Sequence, residues 1–297
     1  MNDKKTFYNY KLIFPLLYIC GMEKIKFDLN DITLVPETLS SISSRSEINI
    51  MKDGKLPLMC APMDTTISLE NYKIYDDLGF TVCMPRNQVA IDNVYNSYGI
   101  DEVEQMINGE IETPSMVLLD TANAHSIRVY EISKKFKETF PSIKFIVGNI
   151  ANPLTYEKYA EIGVDGVRCG IGGGSACTTS ANSSIHYPMG SLISECYELK
   201  TKNNFTTEII ADGGFKTFAD IIKALALGAD QVMIGGMISK SLQSCSTSYI
   251  KEHDKYVEVT DDMAKILFDE KIEIYKRYRG MSTKEVQKDW GKKTLKT

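Results

Sequence analysis

The sequence predicts a single (β/α)8 barrel of the TIM type, and three observations predict it. Eight short strand-like runs alternate with helical patterns over roughly 180 residues. Many of those runs are continuously apolar rather than alternating, as parallel strands covered on both faces should be. Polar residues and glycines collect just after the runs, at the rim where a barrel of this kind carries its chemistry.

Composition sets the frame. The 297 residues suffice for one large barrel, and 43% hydrophobic with 25% charged residues is the balance of a soluble globular chain. A formal net charge of −5 argues against a general nucleic-acid surface, though not against a local cationic pocket for a phosphate. The seven cysteines are scattered and odd in number, and Cys60, Cys83 and Cys169 fall in strand-like runs. That pattern fits reduced thiols in a cytoplasmic protein better than a disulfide framework. There is no CxxC pair, and the three histidines (His125, His186, His253) form no HExxH motif, so zinc is not expected.

The elements follow in order. Residues 1–21 hold Lys4, Lys5 and the apolar run Leu12–Cys20, which Pro15 and Tyr18 interrupt and which is too short to span a bilayer. We expect them to be a disordered extension, with a targeting segment as the alternative, and the barrel to occupy 22–297 with a flap-like C-terminal segment from about residue 270. Its strands are expected at Leu56–Ala61, Phe80–Met84, Asn93–Ser97, Met116–Asp120, Lys144–Gly148, Gly166–Ile171, Glu208–Asp212 and Gln231–Gly235. Helical patterns include Ser126–Thr139, Thr155–Ile162, Ser191–Lys200 and Phe218–Leu227.

The stretch Gly170–Thr179 organises the rest. Four of its first five residues are glycine, which lets the backbone approach a ligand closely. Ser175 can offer a hydroxyl and an N–H to a phosphate, and Cys177 sits in the same polar loop as a candidate nucleophile. The alternative for Cys177 is a buried structural thiol. Thr179 can relay a proton or simply start a helix. Gly213-Gly214 and Gly235-Gly236 end neighbouring strands and, with Ser175, read as a phosphate cradle rather than as ordinary turns. Asp212 can accept ribose hydroxyls; its alternative is a helix N-cap. His186 and Tyr187 read as structural or substrate-orienting, and Tyr278–Ser282 alone reads as a surface turn.

Together these residues resemble the IMP dehydrogenase / GMP reductase family. The matching segments are Ser44-Arg45-Ser46-Glu47, Ala61-Pro62-Met63-Asp64-Thr65, Gly148-Asn149, Gly170–Thr179, Ala211-Asp212-Gly213-Gly214, Gly235-Gly236-Met237 and Tyr278-Arg279-Gly280-Met281-Ser282, in family order from about Phe27 to Ser282. Four features resemble the GMP reductase branch: Asp120-Thr121-Ala122-Asn123, Tyr187-Pro188, Glu195-Cys196 and Ile234-Gly235-Gly236-Met237. Only about thirty residues separate Arg86 from Asp120, so the CBS insertion usual in the dehydrogenase has no room. Met281–Thr297 carries no Arg-Tyr-type pair of the kind the dehydrogenase uses to activate water.

The resemblance implies a homotetrameric, cytoplasmic oxidoreductase of purine nucleotides, acting on neither nucleic acid nor membrane. It implies that Cys177 attacks C2 of GMP, that Thr179 assists the departing ammonia, and that NADPH supplies hydride to the thioimidate to give IMP. Ser175, Gly214, Gly235, Gly236 and Tyr278 would hold the nucleotide's 5′-phosphate, Asp212 its ribose, and Met281 and Ser282 the base, with Met63, Gly213 and Gly280 as further substrate-binding positions. Arg86, Asp120, Thr121, Ala122 and Asn123 would face the nicotinamide, and the carbonyls of Gly172, Gly174 and Cys177 match a potassium site.

Several positions depart from the family. A glycine replaces the proline of its Gly-Pro-Gly-Ser, Ser180 replaces an arginine, and Pro85-Arg86 replaces His-Lys. Trp290 stands where the catalytic glutamate is expected, which makes the adjacent Asp289 the candidate substitute. The family's final helix has no counterpart before Thr297, so either the helical stretch Asp261–Tyr275 fills its space or the sequence is truncated. Besides GMP reductase, three readings stand: a compact IMP dehydrogenase converting IMP to XMP with NAD, a nucleotide-binding pseudoenzyme lacking its C-terminal catalytic segment, and an FMN-dependent barrel oxidoreductase, in which the cysteine loop has no role.

Overall fold

The computed structural model describes residues 25–173 and 184–279. Eight parallel strands close a barrel in sequence order: β1 (Leu58–Cys60), β2 (Thr81–Met84), β3 (Tyr95–Tyr98), β4 (Met116–Asp120), β5 (Lys144–Ile150), β6 (Gly166–Cys169), β7 (Glu208–Asp212) and β8 (Gln231–Ile234). The ring is sealed where β8 pairs with β1, Met59 opposite Met233 and Cys60 opposite Ile234. The expected strands are all present, each within a few residues of its expected bounds.

The continuous apolar runs have a simple cause. Along β4, Leu118 packs into the barrel interior with Met59, Cys83, Ile146, Ile210 and Met233, while Val117 and Leu119 pack outward under the helices. Both faces of the strand are therefore buried, and no polar alternation is possible. The outer layer holds α1 (Tyr72–Asp77), α2 (Ile100–Ile107), α3 (Ile127–Thr139), α4 (Pro153–Glu161), α5 (Met189–Asn203), α6 (Phe218–Ala226) and α7 (Gly236–Ser239). Helix α4 begins two residues earlier than its periodicity suggests, because Asn152 caps the Leu154 N–H and Pro153 occupies the first turn, where no donor is needed. Thr217 and Asp220 cap α6 reciprocally.

Residues 26–31 strap the barrel from outside. The Phe27 N–H donates to Ser191 Oγ, the Ser191 N–H donates to the Phe27 carbonyl, and Lys223 Nζ donates to the Leu29 carbonyl. Leu29 is buried in the core beneath α6.

One expectation fails. The helix proposed over Asp261–Tyr275 stops early: α8 spans Asp261–Asp269, and Lys271 adopts a left-handed φ of 68° that ends it. Tyr275–Lys276 instead form β11, which joins β9 (Ser248–Glu252) and β10 (Lys255–Val259) in a separate antiparallel sheet ordered β10-β9-β11. Residues 1–21 lie outside the described residues. Among the described residues no helix is long and apolar enough to cross a membrane.

Candidate active site

Inward-pointing positions at the C-terminal ends of the strands place a charged network across the barrel mouth. Val167 and Cys169 face the helices, so the period of two aims Arg168 at the barrel axis. Its guanidinium bridges two strands: Nη1 donates to Asp120 Oδ1 at 2.6 Å, while Nη2 and Nε donate to Asp212 Oδ2 at 2.8 and 3.2 Å. Asn149 Nδ2 donates to the same Asp212 oxygen at 2.7 Å and to the Gly170 carbonyl at 2.8 Å. Arg86 adds a second cation, its Nε 3.5 Å from Asp120 Oδ2. The Arg168 side chain is only 9% exposed. Burial alone would lower its pKa, but Asp212 and Asp120 outweigh that and raise it, so the guanidinium stays charged.

Close backbone approach makes this network possible. A Cβ at Gly148 would lie 2.4 Å from the Arg168 Cβ, so β5 must be bare where the guanidinium crosses. Gly170 has φ 139°, and a Cβ there would lie 2.1 Å from the Asp212 carbonyl oxygen. The first turn of the cysteine loop thus lies directly on the end of β7, and Gly173 and Gly214 meet in the same way one step further on. His186 ties the two described ends of the loop together, its Nδ1 3.1 Å from the Ile171 carbonyl, and its Nε2 lies 3.9 Å from Asp28 Oδ2.

On the opposite side of the mouth, β1, β8 and the residues after β11 converge. Arg279 grips Asp64 with Nη2–Oδ2 at 2.5 Å and Nε–Oδ1 at 3.3 Å. Tyr278 then reaches Met63, its hydroxyl 3.9 Å from the sulfur, and both border Gly235. The rim after β4 is self-supporting: the Asn123 N–H donates to Thr121 Oγ1, and Asn123 Oδ1 accepts from the His125 N–H. Ala122 and Asn123 are exposed there, beside the Asp120–Arg168 pair.

The expected residues therefore form two described clusters. Arg86, Asp120, Thr121, Ala122, Asn123, Gly172, Asp212, Gly213 and Gly214 share the β2–β7 side, and Met63, Gly235, Gly236 and Tyr278 share the β8–β1 side. Gly174, Ser175, Cys177, Thr179, Gly280, Met281, Ser282 and Asp289 lie outside the described residues. Among the described residues no group of three or more His, Cys, Asp or Glu could hold a metal. Arg168 was not singled out in the sequence, although an arginine inside an otherwise apolar strand was a visible signal.

A domain model described as "IMP dehydrogenase / GMP reductase domain" matches residues 94–295. The chain belongs to the IMP dehydrogenase / GMP reductase family. Among its relatives, the GMP reductase of Buchnera aphidicola subsp. Acyrthosiphon pisum is 28% identical over 295 residues, covering 88% of this chain and 83% of that one. GMP reductase 2 of Homo sapiens is 27% identical over 260 residues, with 78% and 74% covered. The inosine-5'-monophosphate dehydrogenase of Borreliella burgdorferi is 34% identical over 157 residues, which is 53% of this chain and 38% of that enzyme. Within the family frame, the Tyr187 and Glu195 positions are in contact, Tyr187 Oη donating to Glu195 Oε2 at 2.6 Å while Lys26 pairs with the same carboxylate.

Proposed function

We propose that this family member is a GMP reductase, converting GMP, NADPH and two protons to IMP, NADP+ and ammonium. The observation that carries the reductase branch is the extent of the match. Similarity to the Buchnera reductase runs through 88% of the chain, while similarity to the Borreliella dehydrogenase stops at 53%. The short connection from β2 to β3, from Pro85 to Val94, supports the same reading, since nothing is inserted there.

In this reading Cys177 adds to C2 of the guanine, ammonia leaves, and a thioimidate remains until C2 is reduced and the thiolate is released. Splitting the substitution in this way lowers each barrier. The described cysteines are poor alternatives: burial pushes the Cys83 thiol up to about 12 and Cys245 up to about 11, and it raises Cys60 and Cys196 as well. Thr179 and Asp289 handle the protons of the departing nitrogen. Asp212, held by Arg168 and Asn149, presents a fixed carboxylate to the ribose. The glycines after β7 and β8, with Ser175 and Tyr278, take the phosphate, and Met63, Gly280, Met281 and Ser282 complete the pocket.

A bound reduced nicotinamide dinucleotide phosphate supplies the hydride for C2. In this reading the nicotinamide lies against the exposed Ala122–Asn123 edge, beside Asp120, Thr121 and Arg86. Of the three carbonyls that would hold potassium, only that of Gly172 lies among the described residues. Free thiols at Cys60, Cys83, Cys169, Cys196 and Cys245 support a reducing, cytoplasmic setting, and the homotetramer stays with the family reading.

The dehydrogenase is the second reading, favoured by the higher identity of its shorter match. One assay separates them: reduced-nicotinamide absorbance with GMP and NADPH, beside IMP and NAD+. We expect NADPH oxidation with GMP, reduced by at least about 10³-fold in Cys177→Ala. NADH formation from IMP moves the chain to the dehydrogenase branch, and nucleotide binding without turnover supports the pseudoenzyme.

A further inference from the structure

A cavity of about 400 Å3 opens at the N-terminal end of the barrel, opposite the candidate active site. That volume is within the range of small-molecule sites. Its wall includes the first residues of six strands: Thr81 of β2, Tyr95 of β3, Met116 of β4, Lys144 of β5, Glu208 of β7 and Gln231 of β8.

The polar groups there are unevenly satisfied. Tyr95 is only 6% exposed, yet its hydroxyl makes no hydrogen bond to any described residue. Gln231 spends its amide nitrogen on Glu208 Oε2 at 2.9 Å, and its Oε1 is buried with no partner among the described residues. Glu208 itself has its carboxyl held above the ordinary range by burial. The lysines at the entrance do not answer these groups, because Lys55 pairs with Asp76 at 2.5 Å and Lys144 with Asp165 at 3.4 Å. What is left bordering the cavity is a carboxylate and a phenol, a pair that suits a compact cation with several N–H donors.

We propose that this cavity is a binding site for a small primary amine, whose ammonium group is held by Glu208 and Tyr95, with Gln231 positioning the Glu208 carboxylate. An ammonium can donate to both the carboxylate and the phenol oxygen, and it neutralises the one lining carboxylate without a close partner cation among the described residues. The site is independent of the active-site reading, since none of these side chains belongs to the mouth.

The test is calorimetric titration of the full chain with methylammonium and with 1,4-diaminobutane. Tetramethylammonium, which has the charge but no N–H, is the control. We expect saturable binding of the primary amines, at least about tenfold weaker binding of tetramethylammonium, and about tenfold weakening in Glu208→Gln. Tyr95→Phe, which keeps the ring packing, should weaken binding severalfold and guards against misfolding of the glutamine variant. Absence of saturable binding, equal binding of tetramethylammonium, or unchanged affinity in both variants overturns the proposal.

Discussion

Arg168 is the residue on which the barrel mouth depends. It holds Asp120 and Asp212 on strands that do not pair with each other, and both carboxylates are largely buried, at 18% and 14% side-chain exposure. Replacing it with methionine leaves two acidic groups facing an apolar chain. We expect Arg168→Met to cost about 3–5 kcal/mol of unfolding free energy, read by urea denaturation. Arg168→Lys should recover only part of that, because a single ammonium cannot span both partners as the fork does. A loss under about 1 kcal/mol in the methionine variant would sink the bridging role. Much of this site was legible at the residue scale: Asp120, Asn149 and Asp212 sit at the C-terminal ends of β4, β5 and β7, and the glycine pairs follow β7 and β8, as their sequence positions imply. Arg168 was not, because it lies inside a run that reads as a buried strand, and the period of two that aims it inward had to be applied to a charge rather than to an apolar side chain.

Between elements, His125 couples the loop after β4 to the start of α4. Its Nε2 accepts the Ala151 N–H at 2.8 Å, so the ring must carry its proton on Nδ1, which donates to Thr155 Oγ1 at 2.9 Å. Partial burial of the ring lowers its pKa below the ordinary histidine value. The unfolded chain therefore takes up the proton first as the pH falls, and the contribution present at neutral pH is lost below about pH 6.5. We expect the urea midpoint to fall more steeply between about pH 6.5 and 5 in the wild type than in His125→Gln. Parallel slopes would show that the ring does not couple the two loops. The strands were readable because burial on both faces leaves unbroken apolar runs. The sheet after β8 was harder. Its β9–β10 hairpin turns through His253-Asp254, with φ of 44° and 64°, a left-handed pair without the Asn-Gly signature that usually announces it. In the same region the apolar periodicity of α8 runs on past the point where Lys271 turns the chain out of the helix.

For the whole molecule, the mouth is assembled from the two ends of the chain's fold. Met63 follows the first strand, Gly235 follows the eighth, Tyr278 comes after the last, and closure between β1 and β8 brings them together. A nucleotide bound across these segments and the β7 loop can bind only the closed barrel, so its binding energy must appear as folding stability. At a hundredfold excess over Kd, GMP should add about 2.7 kcal/mol, which for a chain of this size is a rise in Tm of roughly 5–10 °C. Cys177→Ala should keep most of that shift, since it removes the covalent step and leaves the pocket. Guanosine at the same concentration should give less than half of it, because the glycine turns after β7 and β8 are read as phosphate holders and the nucleoside has no phosphate. Equal shifts from guanosine and GMP would take the phosphate from those turns while leaving the base and ribose sites in place. No shift from either GMP or IMP would remove the nucleotide from the barrel mouth altogether, and with it the reductase and dehydrogenase readings together.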